Sequence, residues 1–289
     1  MNSTQSAASD LPWPDETMLH SQRQETLAAT VSLAAKSSHE AEVKRILREH
    51  GFAHLPDHFA HAASHVLGCL SPHPHQVDAS RQCSARPVNA LYHNVKRMAD
   101  IALSGAALLA LAPVIVAISL AIYLEDGGPI LYSQQRTGQW GQEFRFYKFR
   151  SMVKNADDLK VALYIQNEAT GPIFKMKNDP RVTKIGRFIR RTSLDELPQL
   201  FSVLRGDLTL IGPRPLYTPE AARLTPRHAQ RHQVKPGILC LREVCGRSAL
   251  EFEHWMELDL VYIASRSLKT DITILMRAIP KILRSEGAY

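Results

Sequence analysis

The chain has 289 residues, and its hydrophobic content of 45% is enough to bury a core in one large domain or two small ones. The net charge is +7, and residues 136–191 carry 13 Lys and Arg against 5 Asp and Glu, so this segment is expected to face an anionic partner. Four irregularly spaced cysteines exclude a disulfide framework in so long a chain, and the first 16 residues lack the basic and apolar regions of a secretory signal.

Residues 1–90 are predicted to form an N-terminal extension with short helices. Residues 1–36 are polar and rich in Ser, Ala and Gln, which is typical of disorder. Residues 37–50 have the pattern of a helix, and residues 71–90 that of a linker. The histidines of this region either bind a metal, a site that no cysteine or carboxylate pattern supports, or are ordinary polar residues: His58, His61, His65, His73 and His75.

Residues 101–124 form an uncharged apolar segment. At about 1.5 Å per residue, a helix of this length would extend roughly 36 Å, which is enough to cross a bilayer core of about 30 Å. A helix buried in a protein core is the alternative. An uncharged apolar run of this length is more typical of a membrane segment.

Pro113 lies near the centre of this segment and is expected to bend the helix. The helix then either spans the membrane or returns to the side from which it entered. Basic residues flank both ends of the segment: Lys96, Arg97, Arg136, Arg145, Lys148 and Arg150. Because positive flanks favour the cytoplasmic side, we interpret residues 91–126 as a kinked helix that inserts into the membrane and re-emerges.

Residues 127–289 are predicted to form a small cytosolic catalytic domain of the α+β class, mostly helical. Strand patterns occur at 130–133, 143–149 and 207–211, and helical patterns at 154–168, 184–191 and 251–284. In the sequence KIGRFIRR, Ile185, Phe188 and Ile189 share one helical face, and cations occupy another. This amphipathic helix either lies at a membrane interface or presents a solvated cationic face.

The stretch RTSLDELPQL places two adjacent carboxylates, Asp195 and Glu196, directly after a run of cations. Ser193 and Glu196 have the spacing of a helix capping box, which would explain Glu196 without a catalytic role. Alternatively, Asp195 is itself the cap, and Pro198 then falls in the first turn, where proline is tolerated. In either case the positive end of the helix dipole is expected to keep the Asp195 carboxylate ionised, as a nucleophile towards phosphorus requires.

A carboxylate approaches a diphosphate only if cations screen the repulsion between the two anions. The candidate cations in the sequence are Lys148, Arg150, Arg190, Arg191 and Arg214. Pro213 and Pro215 stiffen the backbone of Arg214, which suits a guanidinium fork that binds phosphate oxygens, although GPRP could equally be a rigid turn. We expect Mg²⁺ to complete the screening, bound by Asp195 and by substrate phosphates.

From about residue 96 to residue 289, the chain resembles the bacterial sugar transferases, also called monotopic phosphoglycosyl transferases. The motifs that carry the resemblance stand in order along the chain: KRMADI, YKFRSM, TGPIFKMKNDPRVTKIGRFIRRTSLDELPQLFSVLRGD, LIGPRP, VKPGI and the terminal GAY. The set as a whole is far more specific than any single motif in it.

This resemblance implies transfer of a hexose 1-phosphate from a UDP-sugar to undecaprenyl phosphate with release of UMP, a reaction that initiates exopolysaccharide, capsule or O-antigen synthesis. UDP-glucose and UDP-galactose are the expected donors. Asp195 matches the nucleophile that forms a covalent phosphosugar, and Glu196 matches its partner. The positions implied in phosphate and nucleotide binding are Lys148, Arg150, Arg190, Pro213, Arg214 and Pro215.

The resemblance also implies Mg²⁺ as cofactor and the bacterial inner membrane as location, with the catalytic domain on the cytoplasmic face in contact with membrane lipids. Further expected partners are other polysaccharide-assembly proteins or a second copy of the chain. The chain departs from the family pattern at Ala112, where serine is common before the bend, and over residues 239–244, which puts local packing or sugar recognition there in doubt.

Two other functions compete with this interpretation. A catalytically inactive, membrane-anchored scaffold of a polysaccharide assembly complex would have the same membrane segment, but it would have no need of Asp195, Glu196 and Arg214. A nucleic-acid-binding protein would account for the basic stretch, but the sequence lacks aromatic platforms and DNA-reading motifs, so no nucleic-acid partner is expected.

Overall fold

The computed structural model is mostly helical with small sheets, which confirms the α+β class. It describes residues 41–50, 52, 85–168, 171–174, 176, 178–246 and 250–284. The predicted disorder of residues 1–36, most of the predicted linker and the histidine cluster therefore lie outside the described residues.

The helices and strands are numbered here in chain order. After a helical segment at 41–49, the helices are α1 Ala90–Ala110, α2 Ala112–Asp126, α3 Ala156–Leu163, α4 Lys184–Arg191, α5 Gln199–Arg205, α6 Thr218–Ala221, α7 Pro226–Ala229, α8 Leu241–Cys245, α9 Phe252–Ser265 and α10 Leu268–Leu283. The strands are β1 Leu131–Thr137, β2 Glu143–Phe149, β3 Thr209–Ile211 and β4 Gly237–Leu239. Short 3₁₀ turns include Leu194–Glu196 and Gln230–Gln233.

Strands β1 and β2 form an antiparallel hairpin that carries part of the site. Strand β2 has the predicted bounds, but β1 runs beyond the predicted end at residue 133, because it pairs with β2 from Leu131 opposite Phe149 to Thr137 opposite Glu143. The predicted strand at 207–211 is shorter than expected. It pairs in parallel with β4, which the sequence analysis did not predict.

The apolar segment forms two helices, α1 and α2, that meet at Leu111 with a bend of 61°. Pro113 lies at the start of α2, so the bend falls where the proline predicts it. Within the described ranges, no single helix is long and apolar enough to cross a bilayer. The two helices of this bent pair together have sufficient length and apolarity. Leu109 and Leu124 are 81% and 74% exposed, so no other part of the described chain covers them. Insertion into a membrane remains a prediction.

The end of α2 is fixed to the catalytic domain by its two acidic residues. The Glu125 carboxylate accepts hydrogen bonds from the backbone N–H groups of Lys184 (2.8 Å) and Ile185 (3.2 Å) at the start of α4. Asp126 forms an ion pair with Arg150 at 3.3 Å. Glu125 therefore joins the end of the bent helices to the basic amphipathic helix α4. The predicted bounds of α4 are confirmed.

The C-terminal region is two helices rather than the predicted continuous one, because the chain leaves helical geometry at Arg266. On α10, Ile274 and Ala278 are buried in the core, whereas Ile272 and Met276 are 58% and 62% exposed. Pro280 lies within α10.

Part of the N-terminal extension belongs to the core of the catalytic domain. The buried residues of this part are Val43, Ile46, Leu47 and Phe52. They belong to a cluster with buried residues of α9 and α10, and the Arg277 guanidinium lies 4.6 Å from the centre of the Phe52 ring. The described part of the extension therefore contributes to the stability of the domain.

Replacing Leu47 with Ala is expected to lower the free energy of unfolding by about 2–5 kcal/mol, because the substitution leaves a cavity in this cluster. Arg48, which is exposed on the same helical segment, provides the control, and Arg48→Ala is expected to stay within about 0.5 kcal/mol of wild type. Denaturant unfolding in detergent measures both. Equal stability of the two variants would show that residues 41–52 do not pack in this way in solution.

Candidate active site

The acid pair lies in a 3₁₀ turn between α4 and α5. Ser193 precedes the turn in the left-handed region at φ 58°, and its side chain makes no capping hydrogen bond. The capping-box interpretation of Ser193 and Glu196 is therefore wrong. Pro198 is the N-cap residue of α5, so Asp195 does not cap a helix either. Helix α4, which precedes the turn, packs closely on the chain just after β2, because a Cβ on Gly186 would lie 2.0 Å from the Ser151 carbonyl oxygen.

Asp195 is buried, with 8% of its surface exposed, and its pKa is raised to about 6. Burial is the main cause and the adjacent Glu196 carboxylate the second, while Lys148, Arg190 and Arg214 act in the opposite direction. The nearby arginines favour ionisation, as expected, but Asp195 does not cap a helix, and burial outweighs the cations in setting its pKa. The Asp195 carboxylate is nevertheless mostly ionised at neutral pH.

Glu196 is held by Arg214 in a two-pronged ion pair. The Arg214 Nη1 group donates to Glu196 Oε2 at 3.2 Å, and Nη2 donates to Oε1. Burial opposes ionisation of Glu196, but the Arg214 guanidinium holds the pKa of this carboxyl below its ordinary value. In turn, although burial disfavours its charge, Glu196 raises the pKa of Arg214. The two adjacent carboxyls therefore have pKa values shifted in opposite directions.

Pro213 and Pro215 lie beside Arg214 but not on the wall of the main cavity. The Pro213 carbonyl accepts a hydrogen bond from Gly237 N at 2.9 Å, and the Pro215 carbonyl accepts one from Arg136 Nη1 at 2.6 Å. The two prolines thus hold the loop that presents Arg214. Direct contact of either proline with a nucleotide remains a prediction.

A cavity of about 460 Å³ joins the acid pair to the bend of the apolar helices. Its charged lining residues are Lys148, Arg190, Asp195, Glu196, Arg214, Arg242 and Glu243. Its apolar lining residues, which together form its apolar wall, are Leu111, Leu194, Leu197, Leu200, Ile238, Leu239 and Ile282. A single cavity thus presents carboxylates, cations and an apolar surface, and it reaches the segment predicted to lie in the membrane.

A second cavity of about 320 Å³ adjoins the first, and both are lined by Lys148 and Arg190. It contains three aromatic rings: Tyr132, Phe174 and Tyr217. Arg150 lines only this cavity, where its Nη2 group donates to the Gly127 carbonyl at 2.6 Å. The structure therefore brings Lys148, Arg190 and Arg214 to the acid pair but directs Arg150 towards the end of α2.

The cation at the junction of the two cavities, Lys148, has a pKa lowered to about 8, mainly by burial and despite the attraction of Asp195. Sequence analysis did not predict Arg136 as a site residue. It lines the second cavity, and burial lowers its pKa to about 10. The alternation along β1 contained a signal for it, because Tyr132, Gln134 and Arg136 share one face of the strand, and Tyr132 pairs with Lys148.

The carboxylates around the main cavity determine how Mg²⁺ could be bound there. Among the residues that the structure describes, no three His, Cys, Asp or Glu side chains surround a common point. Asp195 lines the main cavity, whereas Glu196 is engaged by Arg214 and Glu243 lies 4.0 Å from Arg214 Nη1. This arrangement fits an ion bound by one or two carboxylates together with substrate phosphates, which is the usual mode for Mg²⁺, and it does not fit an ion enclosed by protein alone.

Comparison with known proteins agrees with this geometry. Residues 91–285 match the family model described as bacterial sugar transferase. The chain is 43% identical over 195 residues to the galactosyl transferase CpsE of Streptococcus agalactiae, a match that covers 67% of this chain and 43% of that protein. It is also 43% identical over 188 residues to the undecaprenyl-phosphate galactose phosphotransferase of Salmonella typhimurium, which covers 61% of this chain and 39% of that protein.

A more divergent relative matches a longer part of the chain. The UDP-N-acetylgalactosamine-undecaprenyl-phosphate N-acetylgalactosaminephosphotransferase of Aeromonas hydrophila is 34% identical over 253 residues, which is 86% of this chain and 57% of that protein. The chain thus spans about two fifths of the length of the first two relatives and somewhat more than half of the third.

Proposed function

Because the chain belongs to the bacterial sugar transferase family, we propose that it transfers a hexose 1-phosphate from a UDP-sugar to undecaprenyl phosphate, giving undecaprenyl-diphosphate-sugar and UMP. The observation that carries the proposal is the position of Asp195. It lies beside the Glu196–Arg214 pair in a cavity that is lined by cations and by apolar side chains. The names of two relatives favour UDP-galactose over UDP-glucose as the donor.

In the first half-reaction, an oxygen of the Asp195 carboxylate attacks the β-phosphorus of the UDP-sugar. The bond from that phosphorus to the bridging oxygen breaks, and UMP leaves with the bridging oxygen and its electron pair. The sugar phosphate remains on Asp195 as an acyl phosphate. Burial removes water that would otherwise solvate the carboxylate and hydrolyse the intermediate.

The cations around Asp195 reduce the repulsion between the attacking carboxylate and the diphosphate. Lys148 and Arg190 stand between the two cavities, so they are placed to bind the diphosphate with sugar and nucleoside on opposite sides. Arg214 is held in place by Glu196, and it adds positive charge to the cavity that Asp195 lines. When bound, Mg²⁺ would neutralise phosphate charge between Asp195 and the substrate.

The second cavity suits the nucleoside. Its volume and its three rings provide stacking surfaces for a base, and its cations lie beside these rings, with Lys160 Nζ 5.9 Å from the centre of the Tyr217 ring. If Tyr217→Ala left the KM for the UDP-sugar unchanged, this placement would be wrong.

In the second half-reaction, a phosphate oxygen of undecaprenyl phosphate attacks the phosphorus of the intermediate, and the Asp195 carboxylate is the leaving group. The apolar wall near Leu111 and Ile282 provides a surface along which a polyprenyl chain can lie, with its phosphate directed towards Arg190 and Arg214. We propose that the reaction takes place at the cytoplasmic face of the inner membrane, since the cavity reaches the bent apolar helices at Leu111. Terminal tags that reported opposite sides of the membrane would contradict this location.

Release of UMP tests the proposed function. The purified full chain in lipid nanoparticles is mixed with UDP-galactose, UDP-glucose or either N-acetylated analogue, with and without undecaprenyl phosphate. We expect one equivalent of UMP per protein without acceptor and continuous turnover with it, in both cases fastest with UDP-galactose. No UMP with any donor would reject the proposal and favour the inactive scaffold.

The rate of the first half-reaction is expected to have a bell-shaped pH dependence. Since the pKa of Asp195 is raised to about 6, the reactive carboxylate is lost as the pH falls through that value. Since the pKa of Lys148 is lowered to about 8, positive charge is lost as the pH rises through that value. UMP release should therefore rise from about pH 5 to 7 and decline above about pH 8.

Single-turnover UMP release without acceptor measures this profile, because the phosphate of undecaprenyl phosphate would itself titrate near pH 6. In the Lys148→Arg variant, the alkaline decline should move above about pH 9, because guanidinium keeps its charge there. A profile that is flat between pH 5 and 7 would show that ionisation of Asp195 does not limit the reaction.

A further inference from the structure

A buried ion pair contacts the loop formed by Pro213, Arg214 and Pro215, and it takes no part in the two half-reactions. Arg231, in the 3₁₀ turn Gln230–Gln233, is 2% exposed, and Asp259 of α9 is fully buried. Arg231 donates to Asp259 Oδ2 through both Nε, at 2.9 Å, and Nη2. The same Nη2 group also donates to the backbone carbonyl of Arg214 at 2.6 Å.

This contact is one of three hydrogen bonds that the backbone carbonyls of the loop accept. The carbonyls of residues 213, 214 and 215 each accept one hydrogen bond, from Gly237 N, Arg231 Nη2 and Arg136 Nη1 respectively. The loop therefore has three consecutive fixed points. The middle one, which belongs to the arginine that binds Glu196, depends on the buried pair.

The buried pair is not expected to add much to the stability of the folded protein. Burying two charges carries a large desolvation cost, which a matched apolar pair would avoid. Moreover, Arg231 Nη1 and Asp259 Oδ1 are buried with no hydrogen-bond partner within the described part of the chain, which adds to the cost. A geometric role in the loop accounts for a planar fork that bonds a carboxylate and a carbonyl at once.

We propose that Arg231 and Asp259 are positioning residues, which fix the main chain of Arg214 so that its guanidinium pairs with Glu196 and faces Asp195. The activity readout of this proposal rests on the proposed function, whereas the stability readout does not. If Arg231 acts through Arg214, its removal should matter only while Arg214 is present.

A double-mutant cycle tests this dependence with Arg231→Gln, Arg214→Gln and the double variant. We expect Arg231→Gln to lower the kcat of UMP release about 10- to 100-fold, as for a misplacement of about 1 Å, with the double variant within about twofold of Arg214→Gln. Losses that multiply in the double variant would overturn the proposal. Arg231→Lys should not restore the rate, because an ammonium lacks the planar fork.

Arg227 provides the matched control, because it forms a similar ion pair with Glu257 of the same helix α9, at 2.8 Å. Arg227→Gln is expected to keep kcat within about twofold of wild type. A loss equal to that of Arg231→Gln would mean that any weakening of α9 has this effect, and the proposal would fail.

Thermal unfolding of the same variants provides the readout that needs no substrate. The decrease in Tm caused by Arg214→Gln should be much smaller in the Arg231→Gln background than in wild type, whether or not the chain releases UMP. Equal decreases would contradict the proposal independently of the function. If Arg231→Gln does not fold, Asp259→Asn replaces it in both cycles with the same criteria, because it removes the anchor of Arg231 and changes only one atom.

Discussion

The Asp195→Asn variant is expected to lose UMP release by roughly four to six orders of magnitude, both with and without undecaprenyl phosphate. The substitution nearly preserves the size of a buried side chain, so the cavity should persist. However, an amide has no anionic oxygen with which to attack phosphorus, and removal of a nucleophile is among the largest single losses in catalysis.

Asp158→Asn is the control for this variant, because Asp158 is exposed on α3 and does not line either cavity. It should release UMP at the wild-type rate. If Asp195→Asn retained more than about a hundredth of the wild-type rate while its Tm was unchanged, Asp195 would not be the nucleophile.

The Glu196→Gln variant is expected to lower kcat about 100-fold and also to destabilise the protein. A neutral amide leaves the Arg214 guanidinium, which is 19% exposed, without its two-pronged partner, so the arginine loses its fixed position near Asp195. The cost in the free energy of unfolding is expected to be about 2 kcal/mol, measured by denaturant titration.

Glu243→Gln is the control that removes a negative charge near Arg214 and leaves the Glu196–Arg214 contact in place. Glu243 lies 4.0 Å from Arg214 Nη1, so it interacts with the same guanidinium at a longer distance. Its loss should lower kcat less than about fivefold. If the two glutamine variants lost activity equally, the close Glu196–Arg214 contact would not be what positions Arg214.

Several parts of this site were predictable from local sequence. The sequence placed Asp195 and Glu196 after the cations of α4, and Lys148 and Arg190 do line the same cavity. Pro113 predicted the bend, because a proline has no N–H with which to continue a helix through the middle of a long segment. The bounds of α4 followed from a clear helical period. Each of these inferences depends on neighbours in the chain.

The parts that could not be predicted depend on residues far apart in the chain. Burial of Asp195 outweighs the local electrostatic argument and raises its pKa, and no pattern near residue 195 reveals that burial. Counting cations could not distinguish Lys148, which faces the acid pair, from Arg150, which turns to the end of α2.

The same limitation applies to the extension and to the support of the loop. Val43, Ile46, Leu47 and Phe52 pack against helices more than 200 positions away, which the polar composition around them does not indicate. Arg231 reaches Arg214 and Asp259 from a turn whose sequence, QRHQ, carries no sign of a positioning role.

Mass spectrometry of the intact protein after mixing with UDP-galactose alone tests the central claim most directly. The mechanism predicts that the chain gains the mass of one hexose phosphate, that an equal amount of UMP appears, and that peptide mapping locates the adduct on Asp195. Subsequent addition of undecaprenyl phosphate should remove the adduct. Release of UMP only after the lipid is added, with no change in protein mass at any time, would contradict a covalent intermediate and indicate direct transfer between the two substrates.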